Sequence, residues 1–159
     1  MVEKIRFLQA SISQQLQKME KSRHELITYL ATVDQVNVST YNKITIGYYL
    51  HNFYNGCESI FVLIARTFEN NLDEKKWHQD LLQRMTLEIK GVRPAIISDK
   101  LCNLLDNFRG FRHVFRHGYS FELDWDREKL VMEKFSEASD LFEAEMNSFL
   151  RQLDSIVEE

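Results

Sequence analysis

The chain carries little structural punctuation: among 159 residues there are one proline and five glycines. Few interruptions favour long helices over short strands joined by tight turns. Apolar and polar residues nowhere alternate with period two for long enough to build a sheet. No apolar run reaches the roughly 18 residues of a membrane span, and the amino terminus lacks the basic-then-apolar order of a secretion signal. Cys57 and Cys102 are the only cysteines. Each lies within a helical pattern and reads as a core thiol in a reducing compartment, which makes the cytoplasm the expected location. Walker, Rossmann and nucleophile-elbow motifs are absent, so nucleotide hydrolysis, redox and ester chemistry have no support.

The length suits one domain, residues 1–159, and a chain of this size buries about 68–70 % of its unfolded surface without help from metals or disulfides. The net charge of -4 argues against broad nonspecific nucleic-acid binding, yet it is unevenly spread. Residues 122–159 hold 12 acidic and 4 basic side chains, which leaves 16 basic against 12 acidic in the rest. Between Asp106 and Glu122 stand Arg109, Arg112 and Arg116 with no acid. A phosphate-bearing partner could use that stretch despite the acidic total, although helices also carry solvated arginines.

Helical spacing organises most of the chain. Ile5, Leu8, Ile12, Leu16, Met19, Leu26 and Leu30 predict a helix over 3–32. After a polar break, Ser39 or Thr40 caps a second helix to Phe68, with Ile46, Leu50, Phe53, Cys57, Ile60, Ile64 and Phe68 as its stripe. A shorter third helix is expected from Glu74 to Ile89, followed by a connection with Gly91 and Pro94. Ser98 is the expected N-cap of a fourth helix that reaches His117, where Gly118 is expected as a left-handed terminator. The last helix is expected to run unbroken from Asp124 or Asp126 almost to the end. The predicted fold is all-α: an up-and-down bundle of four main helices with one shorter addition.

The informative segment is Phe108-Arg109-Gly110-Phe111-Arg112-His113-Val114-Phe115-Arg116-His117-Gly118-Tyr119. The stripe Leu101, Leu105, Phe108 leads by steps of four and three to position 112, a core slot that holds an arginine. Arginine is rarely buried unpaired, so a carboxylate, a second subunit or a phosphate must meet it, unless it lies at the edge and reaches water. Glu58, an acid beside the second helix's apolar stripe, is a candidate partner. His117 stands five residues on, about 140° around a regular helix and about 7.5 Å along it. The two side chains converge only if the helix unwinds before Gly118 or if two chains meet. Such a pair suits RNA cleavage by internal transfer. Histidine moves the proton of the attacking 2′-hydroxyl or of the departing 5′-oxygen, each role worth about 10²–10⁴-fold, while a forked guanidinium matches the phosphorane oxygens. The substrate carries its own nucleophile, so no metal or other cofactor is expected.

Arg112-His113-Val114-Phe115-Arg116-His117-Gly118-Tyr119 resembles the Arg-x(4)-His-x-Tyr pattern of HepT-like ribonuclease toxins in the HEPN superfamily. Further similarity lies in Tyr-Asn-Gly-x-Glu at 54–58, in Trp77-His78-Gln79-Asp80-Leu81-Leu82 and in Phe121-Glu122-Leu123-Asp124. The resemblance implies a dimeric helical bundle that cuts RNA without metal, with catalytic Arg112 and His117 at the dimer interface. It implies supporting roles for Glu58, which orients the site, and for His113; the acid-free stretch adds Arg116 in support and Arg109 as a phosphate contact. The resemblance also implies that Tyr119 receives AMP from a separate nucleotidyltransferase antitoxin. Such a bulky, negatively charged group beside His117 would repel RNA phosphates.

Other readings make different use of the same residues. A non-catalytic helical module could bind a nucleotidyltransferase or another protein through the same bundle. His113 and His117, four apart on one face, could hold a metal, but zinc takes three or four ligands and no second pair stands nearby. Tyr48, Tyr49, Phe53 and Tyr54 could stack bases, but at helical spacing they read first as core. His24, His51 and His78 read as surface or satisfied core histidines.

Overall fold

The computed structural model describes residues 1–69, 80–118 and 123–158. Within them lie α1 (Val2–Leu30), α2 (Thr40–Phe68), α3 (Asp99–His117), α4 (Trp125–Glu133) and α5 (Phe135–Glu158). The predicted caps are present: Ser39 accepts from the Asn42 N–H and Ser98 from the Leu101 N–H. Each satisfies one of the orphan donors of a first turn. Glu145 of α5 in turn accepts from both the N–H and the hydroxyl of Ser98, which ties the start of α3 to the bundle. Among the described residues no sheet forms; Ile89 and Arg93 make one isolated bridge.

Cross-helix pairs set the directions. Gln9 meets Asp154, and Arg23 meets Asp140 and Glu143, so α1 and α5 run antiparallel. Glu25 meets Tyr49 and Met19 meets Gly56, so α1 and α2 do the same. Phe115 lies against Gly47 and Arg112 against Asn55, which reverses α3 relative to α2. The result is the expected all-α, up-and-down arrangement, with α5 packed against α1 and α3. Phe53 is the aromatic hub, with ring centroids 5.1 Å from Phe108, 5.2 Å from Phe135 and 6.3 Å from Phe142, all edge-on. The predicted apolar stripes fill this core, and Cys57 and Cys102 lie in it as free thiols, each raised in pKa by burial.

Three expectations need correction. The final helix is two helices, because Lys134 closes a tighter hydrogen bond to Val131, three residues back, which ends the first of them. Met132 and Glu128 are thereby buried on the short α4, while Phe135 opens the stripe of α5. The third helix does not continue to Ile89. Residues 80–84 are helical, and then a turn with Gly91 at φ 74° brings Arg93 back to Ile89. Arg93 explains the early stop. Its buried guanidinium donates twice to Glu69 and once each to the carbonyls of Arg84, Leu87 and Pro94, so all five of its N–H groups are used. Glu74 to Gln79, the rest of that expected helix, lie outside the described residues. Finally, Gly118 is not left-handed: φ is -88° and ψ 149°, an extended exit. Glycine still suits the position, because an added Cβ would lie 2.9 Å from the Val114 carbonyl oxygen.

No described helix is long and apolar enough to cross a membrane.

Candidate functional site

α3 meets α2 closely because Gly47 has no side chain; a Cβ there would stand 2.8 Å from the Phe115 ring. Phe111 and Phe115 stack at 5.8 Å, and Phe115 lies 5.4 Å from the His51 ring. With Phe111 in the core slot, Arg112 falls at its edge, its side chain 14 % exposed. The arginine is paired as well as marginal. Its Nη2 lies 2.9 Å from Glu58 Oε2, its Nη1 donates to Asn55 Oδ1 at 3.2 Å, and the guanidinium sits 4.6 Å over the Tyr54 ring. The carboxylate neutralises the charge, the amide fixes the roll of the fork, and the ring covers one face. Burial of Tyr54 raises its phenol pKa, so the ring remains neutral. The Glu58 ion pair and the Asn55 hydrogen bond do not use all five guanidinium donors.

The structure therefore joins Arg112 to Glu58, as the sequence suggested, and adds Asn55 and Tyr54. It does not put Arg112 and His117 on one face. α3 stays helical through His117, so the unwinding considered before Gly118 does not occur. His117 shares a face with His113 instead, their rings 4.6 Å apart, and both are exposed. Among the described residues no group of three His, Cys, Asp or Glu side chains stands at metal-binding distance. Arg116 is exposed, with no ion-pair partner among the described residues. Arg109 is held by Asp106, its Nη2 2.7 Å from the carboxylate, and that hydrogen bond raises the guanidinium pKa. Tyr119, Trp77, His78, Phe121 and Glu122 lie outside the described residues. Of the four aromatic residues considered for stacking, Phe53 and Tyr54 are buried, Tyr49 is half-buried, and Tyr48 is 55 % exposed.

Asn55 and His51 were not singled out from sequence. The available signal was spacing: 51, 55 and 58 fall on one face of α2 at steps of four and three, ending on the acid already paired with Arg112.

A family model described as HepT-like protein matches residues 45–153, which takes in α3 and nearly all of α2. The chain belongs to that family. No curated protein and no solved structure matches it.

Proposed function

We propose that the chain is a metal-independent endoribonuclease acting as a homodimer, the toxin of a toxin–antitoxin pair. The observation that carries this reading is the Arg112 guanidinium, pinned by Glu58, Asn55 and Tyr54 without using all its donors, within the Arg-x(4)-His motif of a HepT-like chain. A group oriented before its ligand arrives loses little freedom when a phosphate binds, and it meets the growing charge of a phosphorane with two parallel N–H groups.

Cleavage follows from the substrate's own 2′-hydroxyl. One imidazole takes its proton as the oxygen attacks phosphorus, and the P–O5′ bond breaks as a second imidazole protonates the leaving oxygen. Because Arg112 and His117 face apart on one α3, the site is drawn from two copies, each supplying one His117. His113 steadies His117 from the previous turn, Arg116 adds positive potential, and Arg109 reaches phosphate by exchanging Asp106 for it. Control falls to a separate nucleotidyltransferase antitoxin that places AMP on Tyr119.

The test is incubation of the purified chain with RNA in EDTA, alongside H117A and R112A. The expected result is cleavage that leaves cyclic phosphate ends and is lost in both variants. Cleavage that needs a metal, or that survives either substitution, overturns the proposal.

A further inference from the structure

Arg112 is one end of a longer polar chain. Asn55 Nδ2 lies 3.0 Å from His51 Nε2, while Asn55 Oδ1 takes the Arg112 N–H. A guanidinium can only donate, so the amide must turn its oxygen to Arg112 and its NH2 to His51. His51 Nε2 must then accept, which leaves its single proton on Nδ1. That Nδ1 is buried with no hydrogen-bond partner among the described residues. An unpartnered buried donor is costly, so this tautomer is held by the demand from the Arg112 side.

The surroundings favour the same state. α3 presents Phe115, Arg116 and Arg112 to the ring; burial first, then the charges of Arg116 and Arg112, lower the His51 pKa below its usual 6.5. The nearest acid of the network, Glu58, is engaged by Arg112, and on the α4 side Glu128 lies one turn back along α2, against Lys43 and Gly47.

We propose that His51 and Asn55 form a proton-sensitive lock that aims the Arg112 guanidinium, an inference that rests on Arg112 being the phosphate-gripping group. A second proton on His51 puts an N–H on Nε2, facing the Asn55 NH2. If the amide flips to answer it, its NH2 meets the guanidinium, donor against donor. Either way Asn55 ceases to serve both neighbours, and Arg112 is left with Glu58 and the Tyr54 face alone. His51 touches no substrate in this scheme; it is a positioning residue.

Two measurements on the full chain decide this. Nitrogen-15 spectra of the imidazoles, assigned with H51Q, are expected to show the His51 proton on Nδ1 and a midpoint below 6.5. A proton on Nε2, or a midpoint at or above 6.5, overturns the lock. RNA cleavage then separates aiming from packing. H51L is expected to lower kcat about tenfold with KM within about twofold. H51Q keeps an acceptor for Asn55, so it is expected to restore kcat to within about threefold and to lose activity less steeply in acid than the wild type. Superimposable pH profiles for wild type and H51Q, or full activity in H51L, overturn the lock. A wild type that cuts no RNA counts against the nuclease reading instead, and the imidazole spectra still decide the lock.

Discussion

Glu128 sits on α4 against α2 with only 1 % of its surface exposed, and among the described residues neither carboxyl oxygen has a hydrogen-bond partner of good geometry. Burial pushes its pKa from 4.5 to about 8, with the Lys43 charge and the Gly47 backbone pulling weakly the other way. At neutral pH the folded chain thus holds a proton that the unfolded chain gives up. The associated stability is fully present below pH 4.5, falls as pH climbs, and is gone once pH passes about 8. The slope is about 1.4 kcal/mol per pH unit, so the penalty reaches about 3 kcal/mol at pH 7, a large part of a typical domain's 5–15 kcal/mol. Glu128→Gln has nearly the same shape and no charge to neutralise. It should match the wild type near pH 4, exceed it by about 3 kcal/mol at pH 7, and gain little more above pH 8.5. Urea unfolding followed by far-ultraviolet circular dichroism, for both proteins from pH 4 to 9, measures the difference directly. A difference that does not change with pH, or a glutamine variant less stable than the wild type at pH 7, would refute the argument.

Three further outcomes follow from the geometry. Arg112→Lys keeps the charge but loses the fork shared among Glu58, Asn55 and phosphate, so single-turnover RNA cleavage should fall about 100-fold. A lysine variant within about threefold of the wild type contradicts that. Arg93→Ala strips Glu69 Oε1 of both its donors, leaving the carboxylate to Arg84 alone, and frees three carbonyls, so it should cost about 2–4 kcal/mol in urea unfolding; a loss below about 1 kcal/mol would mean that water reaches the guanidinium. Gly47→Ala gains helix propensity of about 1 kcal/mol but overpacks Phe115 by about 1–3 kcal/mol. It should destabilise the wild type and stabilise Phe115→Ala, and a double-mutant cycle with no coupling excludes the close approach.

The sequence alone determined what depends on periodicity and local chemistry. Apolar stripes of period near 3.6 identify α1, α2 and α3 because a helix that must bury one face has to repeat its apolar residues at that interval. Ser39 and Ser98 mark helix starts because their side chains satisfy donors within three residues, and the pairing of Glu58 with Arg112 was legible because two charges in apolar stripes have few other partners. Tertiary structure decided what depends on residues far apart in the chain. The stripe from Val131 to Phe135 looks continuous, and the turn at Lys134 pays only once α4 can bury Met132 against its neighbours, even at the cost of burying Glu128. Arg93 is an ordinary loop arginine until Glu69 and three carbonyls surround it. His51 acquires a fixed tautomer only because Asn55 must offer its oxygen to an arginine 57 positions away. Hydrogen-bond direction is a property of assembled neighbours, and no spacing rule along the chain encodes it.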